Sequence, residues 1–212
     1  MGLDVSHNNG SVDFAKVKAA GNSFVWIKAT QGNSFVDPMF DRNWQAAADA
    51  GLLRGAYHFM QNGSGGVSQA DHLLQTVHAA GGLLPTDLGY CLDFEDRAGI
   101  SRFGILPSVA EGNAFLQRVQ AIGKRHPVIY LDRSMGSQEV QNAFGQWHLW
   151  LADYSGSASP TVPHQWSDWA FWQYDQYGTV DGVPGVRSVD LDRFRFGLSG
   201  LAAWAAGTIV TP

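Results

Sequence analysis

Cysteine is nearly absent: Cys91 stands alone in 212 residues, so no internal disulfide can staple the fold. Long apolar runs are missing too, and nothing approaches the roughly 18 residues that a membrane-spanning helix needs. The opening Met1-Gly2-Leu3-Asp4-Val5-Ser6 lacks the basic start and apolar core of a signal peptide. Cations are scarce, with 14 Lys and Arg against 19 Asp and Glu, a net charge of −5. Without a basic stripe neither nucleic acid nor an anionic membrane is an expected partner. The seven histidines show no H-E-x-x-H and no other metal-ligand spacing, and His72 and His78, six apart, fall on different helix faces. There is no G-x-S-x-G, and no glycine-rich phosphate loop opens a helix; Gly63-Ser64-Gly65-Gly66 reads as a flexible loop.

What is present is a globular composition, 45% apolar and 16% charged, which residues 1–212 can bury as a single domain with no linker. Aromatics are abundant, with eight Trp, six Tyr and twelve Phe, and their ordinary use is core packing. Eight short β-branched or aromatic runs predict strands over 2–6, 24–30, 54–59, 88–95, 127–132, 148–154, 170–175 and 186–194. Amphipathic segments lie between the first six. One begins with a capping Ser11 and carries Phe14 and Val17. The others run over 40–50, 68–80, from Ser108 through Ile122, and 137–144; Ser108-Val109-Ala110-Glu111 reads as a capping box. After the sixth strand, 155–169 and 176–187 are loops by composition, and 198–206 predicts a terminal helix. The expectation is an α/β fold: an irregular, TIM-like barrel of five β/α units followed by three strands.

In such barrels chemistry sits where the βα loops converge, at the C-terminal strand ends. Acids gather there: Asp4, Asp93, Glu95, Asp132, Asp153, Asp175, Asp190 and Asp192. Side chains alternate along a strand, so Leu92 and Phe94 pack outward while Cys91, Asp93 and Glu95 point in. The Asp93 and Glu95 Cα atoms are then about 6.6 Å apart. Cys91 itself reads as a small core residue rather than a nucleophile. The same parity turns Asp4 inward between Leu3 and Val5, and Asp190 and Asp192 inward beside Val189 and Leu191. It also places Lys28, with Trp26 and Thr30, as a partner for the acids. Several carboxylates in one cavity raise one another's pKa and leave one protonated, which is the requirement of glycoside cleavage. A structural reading, of acids neutralised by nearby bases, stands beside it for Asp4 and Asp190. Tyr57, Gln173, Trp150 and Tyr154 are candidate sugar contacts that could equally be satisfied core residues.

The blocks Asp4-Val5-Ser6, Lys28-Ala29-Thr30-Gln31-Gly32, Tyr57-His58-Phe59, Leu92-Asp93-Phe94-Glu95, Trp150-Leu151-Ala152-Asp153-Tyr154, Trp172-Gln173-Tyr174 and Val189-Asp190-Leu191-Asp192 arrive in order. Together they resemble the family 25 glycoside hydrolases, the Chalaropsis-type lysozymes, over about residues 2–196. The resemblance implies a flattened barrel of five β/α units and three strands. It also implies hydrolysis of the β-1,4 bond between N-acetylmuramic acid and N-acetylglucosamine in bacterial peptidoglycan. Glu95 is implied as general acid/base, Asp93 as the group that orients the acetamide or as nucleophile, and Asp4 and Asp190 as the rest of the acidic site. Neither metal nor organic cofactor is implied. The expected protein is a monomer, a catalytic domain without a separate wall-binding module, acting on the wall like a phage endolysin released through a holin. A silent peptidoglycan-binding module and a chitin-type hydrolase are the alternatives.

Overall fold

The computed structural model describes residues 1–95, 108–135, 138–184 and 188–207. Its strands are β1 (Gly2–Val5), β2 (Phe24–Gln31), β3 (Phe35–Val36), β4 (Leu53–Phe59), β5 (Gly89–Asp93), β6 (Val128–Asp132), β7 (His148–Ala152), β8 (Phe171–Gly178) and β9 (Val189–Phe194). Eight of them close a ring in the order β1-β2-β4-β5-β6-β7-β8-β9, with β9 returning to β1. Helices α1 (Phe14–Ala19), α2 (Phe40–Asp49), α3 (Gly66–Ala79), α4 (Val109–Gly123) and α5 (Gln138–Phe144) follow the early strands, and α6 (Gly197–Ala205) ends the described chain. The five β/α units and the eight barrel strands match the pattern read from periodicity. The first residues of the expected 186–194 strand and of the 137–144 helix lie outside the described residues.

Two apolar shells follow from strand parity. Leu3, Val5, Leu92, Phe94 and Val189 join the outer shell beneath the helices. Trp26, Cys91, Tyr130, Trp150 and Phe171 fill the barrel interior. Trp26 stacks on Trp150 at 5.4 Å and meets Phe171 edge-on at 5.3 Å. Opposite Trp26 on β4 stands Gly55, where any Cβ would overlap the indole ring. Trp204 of α6 closes the lower end of the barrel against Phe171, Phe194 and His148.

Several local expectations need correction. β9 runs antiparallel to both β8 and β1, so the start of β9, not its end, lies at the barrel mouth. Asp190 therefore sits level with Asp4, while Asp192 pairs with Gly2 one step deeper. β8 continues three residues past the expected end because β9 supplies antiparallel partners for it. A bulge between Lys28 and Thr30 breaks the alternation of β2. Thr30, expected inward, instead places its hydroxyl 2.7 Å from Nδ1 of His58, whose ring lies against Phe115 of α4. Asp13, not Ser11, caps α1 by accepting from the Lys16 amide. Ser108 makes no side-chain cap; Glu111 instead accepts from the amides of Gly63 and Gly65, two donors that the glycine-rich loop presents together. The two-residue β3, too short for a periodicity signal, folds back on the end of β2.

Candidate active site

The eight acids placed at strand ends sort into two sets. Asp132, Asp153 and Asp175 accept from backbone amides of Met135, Ser155 and Thr161, and Tyr177, which fastens rim loops. Asp4, Asp93, Asp190, Asp192 and Glu95 remain around the mouth. The buried hydroxyl of Tyr130 feels the charges of Tyr154, Glu95, Asp93 and Asp4, and that of Tyr57 feels Asp4, Asp93, Asp37 and Asp190. Burial first, then these charges, raises both phenols far above their usual range, so both stay neutral donors.

Gln173 organises the centre. Its Nε2 donates to Asp4 Oδ2 at 2.6 Å, and its Oε1 accepts from Tyr130 at 2.8 Å and from the Tyr154 hydroxyl. One buried amide on β8 thus fixes an acid and two phenols contributed by β1, β6 and the end of β7. Tyr154 remains 42% exposed, so its ring lies open above this network. Trp150, by contrast, is 2% exposed and lies under the acids as part of the floor. Its Nε1 donates to Asp192 Oδ1 at 2.8 Å. Lys28 donates to Gln31 Oε1 at 3.0 Å and lies over the Phe59 ring.

Burial raises the pKa of Asp4 well above the ordinary carboxyl value, and the charges of Asp190 and Asp192 add to the shift against the donation from Gln173. Burial does the same to Asp192, reinforced by Asp190 and opposed by the Trp150 donation. Both acids thus bind protons more tightly folded than unfolded. Their contribution to stability is full below the ordinary carboxyl range, about pH 3.9, and is lost as pH rises through their folded values. Asp192→Asn keeps an acceptor for Trp150 and removes the ionisation. The variant is expected to melt higher than the parent at pH 7, with the gain shrinking as pH falls into the ordinary carboxyl range. Equal melting temperatures at pH 7 would show that ionised Asp192 carries no strain.

Strand parity turns Asp192 inward but does not separate it from Asp190; the reversed direction of β9 does. Tyr130 was missed, since an inward aromatic on a barrel strand looks like core until its hydroxyl partner is known. Among the described residues no three His, Cys, Asp or Glu side chains are grouped to hold a metal ion.

A barrel mouth that gathers carboxyl groups beside neutral hydroxyls and an amide suits cleavage by proton transfer, the chemistry of a glycoside hydrolase. The family model for glycosyl hydrolases family 25 matches residues 3–183, and the chain belongs to that family. It is 36% identical to Lysozyme M1 of Streptomyces globisporus, over 98% of this chain and 72% of that protein. With the N,O-diacetylmuramidase of Chalaropsis sp. it shares 35% identity over 78% of this chain and 83% of that one. Of the Escherichia coli relatives it matches, it spans 56% of the length. The bacterial lysozyme from Streptomyces coelicolor superposes with a TM-score of 0.85 at 35% identity, covering 98% of this chain and 97% of that one.

Proposed function

We infer that this chain is a muramidase, cleaving the β-1,4 bond between N-acetylmuramic acid and N-acetylglucosamine in bacterial peptidoglycan. The observation that carries this reading is the hydrogen-bonded network of Asp4, Gln173, Tyr130 and Tyr154 at the mouth of a barrel of this family, with Asp93 and Glu95 near enough for their charges to act on Tyr130. Glu95, half-buried just past the end of β5, gives its proton to the leaving glycosidic oxygen and later takes one from water. Asp93, one inward position deeper on the same strand, orients the acetamide or attacks the anomeric carbon. Asp4 and Asp190 complete the negative field that stabilises the oxocarbenium-like transition state. Tyr57 and Tyr154 offer hydroxyl and ring contacts to the sugars, and Gln173, Trp150 and Lys28 hold the surrounding groups in place. The place of action is the cell wall, and a role as an endolysin, supported by the likeness to the CTP1L endolysin, belongs to the same reading.

Incubation with insoluble cell walls and, separately, with chitin oligomers tests the substrate class. Soluble fragments are expected from walls and none from chitin. Cleavage of chitin alone would replace the muramidase by a chitin-type hydrolase, and tight wall binding without any cleavage would replace it by a binding module.

A further inference from the structure

The β2–β3 hairpin stands at the rim, and its outer end carries two exposed apolar side chains, Phe35 at 39% and Val36 at 47%. Exposed apolar groups are common and need no explanation singly. Here, however, the hairpin is braced for more than solvent contact. Asn33 donates to the Ser64 carbonyl at 2.6 Å and accepts from the Ser68 hydroxyl at 3.0 Å, and His72 Nδ1 lies 2.9 Å from the Gly32 carbonyl. Beside Phe35 lies His7, with ring centroids 5.8 Å apart at 56°. Asp37, almost wholly buried, accepts both the His7 amide at 3.0 Å and its Nδ1 at 2.7 Å, as well as the Met39 amide at 2.9 Å. A carboxylate only accepts, so the ring hydrogen sits on Nδ1. Nε2 is then left as the polar tip of a half-exposed ring, with no hydrogen bond to a described residue.

The position of this pair gives it meaning. Asp37 follows β3 at the C-terminal end of β2, and its charge acts on Tyr57 together with those of Asp4, Asp93 and Asp190, so the pair stands at the same end of the barrel as the acidic centre. In the ring of eight strands β2 stands four places from β7, and β5 four places from β9. Phe35, on β3 beside β2, and the exposed Tyr154 after β7 thus belong to opposite sides of the ring, with the acid-bearing β5 and β9 between them. A sugar presents an apolar C–H face and an edge of hydroxyl and acetamide groups, matched by one aromatic face with one hydrogen-bonding tip. The acidic residues at this end of the barrel favour a neutral occupant over an anionic one.

We propose that Phe35 and the Asp37-held His7 form a binding subsite for an uncharged sugar of the glycan strand, on the opposite side of the ring from Tyr154. The proposal rests on the muramidase reading and deepens it. In the Glu95→Gln protein, titration with stem-free peptidoglycan oligosaccharides of increasing length is followed by the NMR signals of the His7 and Tyr154 rings. Short oligomers are expected to move Tyr154 first, and His7 responds saturably only beyond a threshold length. In the active protein, Phe35→Ala is expected to lower the ratio of kcat/KM for long over short strands roughly tenfold, with Phe35→Tyr restoring it. A silent His7 at every length, or a Phe35→Ala loss independent of length, overturns the subsite. A His7 response that requires the peptide stem overturns it in favour of a peptide site. Failure of the muramidase reading is seen separately, as a wild type that releases nothing from walls.

Discussion

Glu95→Gln is expected to lower kcat on peptidoglycan by at least about a hundredfold while leaving the fold and substrate affinity nearly unchanged. Gln preserves the volume and the hydrogen-bonding edge of Glu95 and lacks only the transferable proton. The residue stands just beyond β5 and is half-buried, so its neighbours lose no packing. Its role as an acid has a signature that a structural role lacks. With an aryl glycoside whose leaving group needs no protonation, the deficit in glycosyl transfer shrinks, whereas a distorted site loses activity on every substrate. Steady-state kinetics on both substrates, beside a melting curve, decide the point. Activity at the wild-type level in Glu95→Gln would remove the residue from catalysis.

Trp26→Ala carries the largest expected effect on stability, a loss of about 3–5 kcal/mol. The indole is fully buried at the centre of the inner shell, between Trp150 and Phe171 and over Gly55. Its Nε1 makes no hydrogen bond to a described residue, so the cost is one of lost packing and an unfilled cavity. A backbone ring closed by strand pairing cannot collapse onto that space without breaking register. The loss reaches the site as well, because Trp26 supports the Trp150 ring that holds Asp192. Urea unfolding is expected to show a lower midpoint at an unchanged slope. Wild-type stability in Trp26→Ala would mean that the interior repacks freely and does not act as a fixed floor.

Much of this architecture was legible because the barrel has two apolar shells. Strands whose outward residues are Leu, Val and Phe reveal which side chains face in, and Asp4, Asp93 and Asp190 were turned toward the cavity on that basis alone. The same reasoning failed where alternation is broken or direction reverses. The bulge in β2 turned Thr30 onto His58, a ring kept neutral by burial with its pKa lowered to about 3. The reversed β9 made Asp192 the deeper acid and Asp190 the one at the rim. Neither event leaves a mark in local composition, since bulges and strand direction are set by the pairing partners. Gln173 was named as a sugar contact, but its part in holding Asp4, Tyr130 and Tyr154 together depends on four distant segments meeting. His7 and Asp37, thirty residues apart, were silent in the sequence for the same reason.

The central claim is that this barrel mouth cuts the muramic acid linkage with Glu95 as its acid. It is tested most directly by digesting purified peptidoglycan with wild type and Glu95→Gln, reducing the new ends with borohydride and identifying them by mass spectrometry. Reduced N-acetylmuramic acid ends from the wild type, and almost none from the variant, are the predicted result. N-acetylglucosamine ends, or muramic ends released equally by both proteins, would contradict it.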